Sequence, residues 1–109
     1  MVLTRNFRET VWARAQRDVV FRGALLGDAM RLLRDGDLEG SRGALRACIR
    51  ATVGFEKLGV TLGRSPRSLR RLFGPAGNPT AEKLLGMIEV LQQETGVHLA
   101  VRAVGPDVV

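Results

Sequence analysis

Two short amphipathic segments separated by a glycine constrain the fold of this chain more than any other feature. Residues 55–62 (FEKLGVTL) and 65–73 (SPRSLRRLF) each carry a leucine-rich apolar face, and Gly63 lies between them. Glycine adopts a positive φ at little cost, so a tight turn is expected here. Ser65 followed by Pro66 is a typical helix start, with serine as N-cap and proline in the first turn. The pattern predicts two short helices that pack face to face.

Helical periodicity continues on both sides of this pair. Apolar residues recur every three or four positions in four longer segments, which predicts three helices before the pair and one after it, over residues 4–18, 19–36, 38–54 and 80–96. We expect N-caps at Thr4 or Asn6, Asp18, Asp37 and the Asn78-Pro79-Thr80 turn. Glycines 36, 54 and 96 are expected to end or separate helices.

The C-terminal tail has a different period. Val97, Leu99, Val101 and Ala103 alternate with more polar residues, which predicts one short β-strand over residues 97–104. A single strand needs a partner, and the same strand in a second copy is a natural one. We therefore expect a mainly all-α single domain, 1–109, with N-terminal helices (1–53), a helix-turn-helix core (54–96) and a C-terminal strand (97–104).

The charge of the chain favours an anionic partner. Its 109 residues carry a formal net charge of +6, and the isoelectric point is near 11.2. Nucleic acid is the commonest partner of so basic a chain, although the charge also serves solubility. No apolar run reaches the roughly 20 residues of a membrane span, and no signal peptide is recognised. We expect a cytoplasmic protein, associated with the nucleoid if it binds DNA.

The second helix of the pair concentrates the basic residues. With the leucines inward, Arg67 and Arg71 lie four residues apart on one outward face, where both can reach a major groove. Arginine suits bidentate contact with guanine, whereas Ser68 and Arg70 lie to the sides, nearer to phosphates. Residues 57–81 contain no acidic residue but five basic ones, at positions 57, 64, 67, 70 and 71.

This part of the chain resembles the helix-turn-helix of the Xre/Cro phage-repressor family. The resemblance is carried by residues 55–99, in which a glycine turn, a basic helix, an Asn-Pro-Thr loop and a helix ending before Gly-Val follow in order. The opening residues 3–29 and the block SPRSLRRLFGPAGNPTAEKL (65–84) are similar to the HigA-like group of addiction-module antidote proteins (antitoxins).

The resemblance implies a phage-repressor-like fold of five to six helices and a homodimer that represses transcription from a palindromic operator. Helix 65–73 would enter the major groove of double-stranded DNA. By position, base-reading sites fall on Pro66, Arg67 and Arg71, and flanking phosphate contacts on Arg64, Ser65, Ser68 and Arg70. The family often has glutamine where this chain has Phe55. Some members also bind a RelE-like toxin.

Other functions remain as alternatives. The main one is a protein-interaction module that neutralises a RelE-like toxin, with DNA binding secondary; its surface would be the N-terminal helices or the tail. Two further interpretations remain: the arginines of residues 64–71 form a solubilising face, or the protein coats nucleic acid without sequence preference. We predict no enzyme, cofactor or metal site: His98 is the single histidine, Cys48 is expected to be buried, and the loop GPAGNPTAEK lacks the ending of a phosphate-binding loop. Trp12 is expected to anchor the first helix in the core, and Leu85 is expected on the buried stripe of the last helix.

Overall fold

A computed structural model describes residues 5–106, with side chains described from residue 7 onward. Residues 5–106 form six helices and no strand, which confirms the prediction of a mainly all-α fold. None of these helices is long and apolar enough to cross a membrane. The helices are α1 (Arg5–Arg17), α2 (Val19–Arg34), α3 (Leu38–Ala51), α4 (Phe55–Leu62), α5 (Pro66–Leu72) and α6 (Ala81–Thr95).

The predicted caps set most of the helix boundaries. The carboxylate of Asp18 accepts hydrogen bonds from the amides of Val20 and Phe21, at 3.0 and 3.2 Å. Asp37 caps α3 through the amide of Gly40 at 2.8 Å. A side-chain acceptor at this position satisfies amides that have no partner within the helix.

The first and last helices also start close to the predicted points. Thr80 caps α6 through the amide of Lys83 at 3.3 Å, and Gly96 ends that helix with φ of 72°. Thr4 lies outside the described residues, whereas Asn6 lies within α1 and is therefore not its N-cap.

One core connects the N-terminal helices with the α4–α5 pair. Helices α2 and α3 pack against each other, and α4 packs against both α5 and α6. The buried side chains of this cluster come from α2, α3, α4, α5 and α6, so the position of α5 depends on residues far from it along the chain. Central members of this cluster are Leu26, Leu45, Ile49, Leu58, Leu69, Phe73 and Leu91.

Long side chains donate additional hydrogen bonds to carbonyls at the ends of several helices. Arg22 on α2 donates from Nε to the carbonyl of Thr95 at 2.9 Å and from Nη1 to that of Ala15 at 2.8 Å. Gln16 donates to the carbonyls of Ala51 and Thr52 at 3.1 and 3.3 Å. The last carbonyls of a helix have no partner within it, so these donors stabilise the ends of α1, α3 and α6.

The predicted C-terminal strand, residues 97–104, is wrong for the single chain. Val97 and Leu99 pack against the core, but the amide of Leu99 donates to Oε1 of Gln92 at 2.8 Å and not to a neighbouring strand. A strand forms only where another backbone completes its hydrogen bonds, and the described residues of one chain supply none. Val101 is fully exposed.

Two predicted core positions are also wrong. Trp12 is 52% exposed, because α1 turns the small Ala15, which is fully buried, toward the other helices. Leu85 is 65% exposed, since the inward stripe of α6 runs through Met87, Leu91 and the buried Thr95. Each of these two residues lies beside the buried stripe of its helix and not within it.

The buried thiol of Cys48 predicts a specific loss of stability at high pH. Burial raises the pKa of Cys48 from 9.0 to about 11. A raised pKa means that the folded state holds the proton more tightly, so the stabilisation is complete below pH 9.0 and is lost as pH rises to about 11. We expect a loss of about 2–3 kcal/mol in the free energy of unfolding over this range.

Denaturant unfolding between these pH values measures the loss, with Cys48→Ala as the control. The alanine variant has a smaller side chain and hence a lower free energy of unfolding, but it lacks the titrating thiol. Its stability should depend less on pH than that of the wild type. Equal pH dependence in the two proteins would contradict the prediction.

Candidate nucleic-acid interface

The turn between α4 and α5 is fixed by backbone hydrogen bonds around a left-handed glycine. Gly63 has φ of 68°, and its amide donates to the carbonyl of Val60 at 3.4 Å. The amide of Arg64 donates to the carbonyl of Gly59 at 2.9 Å. This pair of bonds is the Schellman arrangement, which satisfies the last carbonyls of α4 and reverses the chain. The predicted role of Gly63 is confirmed.

Gly59 allows the turn to approach α4. It is buried, and a Cβ at this position would overlap with the carbonyl oxygen of Arg64 and lie 3.5 Å from the backbone nitrogen of Pro66. Backbone atoms cannot move aside as a flexible side chain does. The small residue therefore sets the distance between α4 and the start of α5.

Helix α5 begins and ends where the sequence predicted, within one residue. Ser65 is the N-cap, its Oγ accepting from the amide of Ser68 at 3.1 Å, and Pro66 occupies the first turn. Phe73 is the C-cap. Leu69 is fully buried and Phe73 is 2% exposed, so the inward face of α5 packs into the core.

Two arginines of α3 hold the far end of α5, and no local sequence pattern predicts these contacts. Arg46 donates from Nη1 to the carbonyl of Phe73 at 3.0 Å, and Arg42 donates to the carbonyl of Gly77. A Cβ on Gly77 would collide with the carbonyl of Leu72. The loop after α5 is therefore held between α3 and the end of α5.

The outward face of α5 is basic and open. Arg67, Arg70 and Arg71 are exposed, Arg64, Pro66 and Ser68 are half-buried, and Ser65 is exposed. None of the four arginines from 64 to 71 forms an ion pair with a carboxylate among the described residues. The structure thus brings all seven predicted DNA-binding residues into one continuous segment, with Arg67 and Arg71 free to contact a ligand.

Lys57 is a correction to the predicted basic run. Its Nζ lies 2.7 Å from Oε2 of Glu94 on α6, so its charge is largely balanced within the protein. The acidic partner lies thirty-seven positions away along the chain, outside residues 57–81.

Phe55, at the start of α4, supports Arg70. The ring of Phe55 is buried with 4% exposure, and the guanidinium of Arg70 lies 5.5 Å from its centroid. A cation over an aromatic face is stabilised by the ring quadrupole. Phe55 therefore orients Arg70 at the side of α5.

Arg50 joins this surface, although it lies outside the predicted basic segment, residues 57–81. It lies at the end of α3 and lines an open depression together with Arg70, Phe55 and Glu56. Partial burial lowers the pKa of Arg50, and the positive charges of Arg46, Arg8 and Arg70 lower it further. Guanidinium groups from three helices are thus crowded at one place.

A second surface feature is an apolar groove between α1, α2 and α3. Its volume is about 340 Å³, and Arg8 and Arg50 contribute to its lining. Apolar side chains from all three helices form its walls, among them Val11, Trp12, Phe21 and Leu25. Trp12 is therefore not an isolated exposed residue. It belongs to a concave apolar surface.

No family model, curated protein or solved structure matches this chain. The residues described hold no group of three histidine, cysteine, aspartate or glutamate side chains that could bind a metal.

The close approach at Gly59 predicts opposite effects for two glycine substitutions. We expect Gly59→Ala to destabilise the protein by about 1–3 kcal/mol, because the new Cβ must displace the Arg64 carbonyl. Gly43→Ala is the matched control: Gly43 also lies in a helix, but its Cβ would meet nothing within 4 Å. That variant should gain about 0.5–1 kcal/mol from lower unfolded-chain entropy. Denaturant midpoints measure both, and a loss in both variants would contradict the assignment.

Proposed function

We propose that this protein is a sequence-specific DNA-binding transcriptional regulator, which represses by occupying an operator. The α4–α5 pair would act as a helix-turn-helix, with α5 in the major groove. The observation that carries the proposal is the outward face of α5, where Arg67, Arg70 and Arg71 are exposed without carboxylate partners among the described residues. The inward face is fixed in the core by Leu69, as a reading helix requires.

On this proposal the residues of the segment divide by position. Arg67 and Arg71 would read base edges, and Pro66 would offer only apolar contact because proline has no amide hydrogen. Arg64, Ser65, Ser68 and Arg70 would contact backbone phosphates, which hold the helix in register.

We further infer a homodimer on a palindromic operator. The tail keeps apolar side chains in solvent, with Val101 fully and Val104 57% exposed, and a second copy would supply the strand partner that one chain lacks. Selection of bound duplexes from a random pool tests both points. A palindromic consensus is expected, whereas enrichment of no sequence would contradict sequence-specific binding.

Substitution of the two reading arginines should reduce affinity for the selected duplex. We expect Arg67→Ala and Arg71→Ala each to cost about 1–3 kcal/mol and to relax the base preference at one position. Arg17→Ala is the matched control, since Arg17 is an exposed arginine at the end of α1. Fluorescence anisotropy titrations measure the three variants. Unchanged affinity in both α5 variants would show that α5 does not read the DNA.

A second candidate function is the neutralisation of a RelE-like toxin, and the apolar groove favours it. An exposed tryptophan in a concave apolar surface is typical of the centre of a protein interface. Arg8 and Arg50 also line the groove, so the partner of matching charge is an amphipathic helix with an acidic edge.

Co-expression with the toxin of a neighbouring gene tests this second candidate. The wild type should restore growth, and Trp12→Ala should lose most of that rescue. Leu85→Ala removes another exposed apolar side chain, on α6, and should retain it. Failure of the wild type to rescue growth would remove this function, and rescue by all three proteins would exclude the groove as the contact surface.

A further inference from the structure

The positive surface of the protein does not end at α5. Arg70 lies at the side of α5, and together with Arg50 it lines the depression at the start of α4. Arg50 in turn lines the groove beside Arg8 on α1. Arg46 and Arg50 are four residues apart, which places them on the same face of α3. We refer to Arg8, Arg46, Arg50 and Arg70 as the arginine cluster.

Nothing in the fold explains why the charges of this cluster are kept together. Like charges at close range repel each other, and no member forms an ion pair with a carboxylate of the described residues. Glu56 is the acidic side chain that lines the depression. Arg46 and Arg70 have contacts within the protein, with the carbonyl of Phe73 and the ring of Phe55. Arg8 and Arg50 are both exposed and make no comparable contact with the described residues.

A helix in the major groove has a phosphate backbone on either side of it. A cluster that begins at the side of the reading helix and continues away from it lies where one of these backbones would pass. Guanidinium groups bind phosphates by charge-assisted hydrogen bonds, and this binding relieves their mutual repulsion.

We propose that Arg8 and Arg50 bind backbone phosphates of the DNA duplex next to the segment read by α5. The N-terminal helices would then form part of the DNA-binding surface and not merely a support for it. This inference rests on the proposed function. It goes beyond that function because it assigns a second row of phosphate contacts to α1 and α3, outside the helix-turn-helix.

The salt dependence of binding to a random-sequence duplex tests the proposal. Each phosphate contact that is lost should make the slope of log affinity against log salt less steep by about 0.9. We expect this change for Arg8→Gln and for Arg50→Gln, whereas Arg50→Lys should retain the wild-type slope because it keeps the charge. Arg17→Gln is the control for net charge, since position 17 lies at the other end of α1 and on its opposite face.

The outcomes distinguish this proposal from the function on which it rests. Wild-type slopes for Arg8→Gln and Arg50→Gln, or an equal change for Arg17→Gln, would overturn the second phosphate row. If Arg67→Ala still weakens binding to the selected duplex in that case, α5 remains the reading helix. A wild type that binds no duplex would overturn both proposals.

Two further measurements complete the test. Circular dichroism should show unchanged helix content in all variants, because the substituted side chains are exposed. Calorimetric titration with inorganic phosphate should show no binding at the cluster. Tight binding of phosphate that is lost in Arg50→Gln would indicate a small-anion site instead and would overturn the assignment to DNA.

Discussion

Helix α5 holds its place because Leu69 and Phe73 are buried in a core built from α2, α3, α4 and α6. A helix of seven residues has too few internal hydrogen bonds to be stable alone in water. Its helical state therefore comes from burial of its inward face, and its outward face is displayed only while the core is intact. The Schellman turn at Gly63 fixes one end, and Arg46 fixes the other. A loss of packing far from α5, for example at Leu26 or Leu45, would therefore destabilise the surface that we propose to read DNA.

The arginines of this chain have two physical roles, which the net charge alone does not separate. Arg22, Arg42 and Arg46 are half-buried and donate to backbone carbonyls at helix ends or in the following loop. They act as structural clamps. Arg67 and Arg71 are exposed and make no such bonds. The formal charge of +6 therefore does not show how unevenly the positive charge is distributed. Lys57 is paired with Glu94, whereas the basic face of α5 has no carboxylate partner among the described residues.

Local signals in the sequence predicted local structure well. A cap residue or a turn glycine acts on amides within a few positions, so Asp18, Ser65 and Gly63 could be assigned from their neighbours alone. Features that depend on distant residues could not be assigned. The pairing of Lys57 with Glu94 and the arginine clamps of α3 join positions that only the folded chain brings together. The exposure of Trp12 has the same cause, since periodicity shows that α1 has an apolar stripe but not how closely α2 and α3 cover it. The strand over 97–104 failed for a related reason, because alternation describes a residue pattern and not the presence of a partner.

The composition of the proposed reading face bears on how the protein would reach specificity. With Pro66 unable to donate, direct readout falls on Arg67 and Arg71, and a good bidentate contact is worth about 1–3 kcal/mol of discrimination. Two contacts give about 2–6 kcal/mol, at the lower end of the roughly 4–10 kcal/mol that separates specific from non-specific binding. A second row of phosphate contacts would raise affinity for every sequence and would not raise this difference. A single copy would therefore bind DNA well but discriminate poorly. Two copies on a palindrome would double the base contacts, so an arginine-only readout supports the proposal that the protein binds DNA as a dimer.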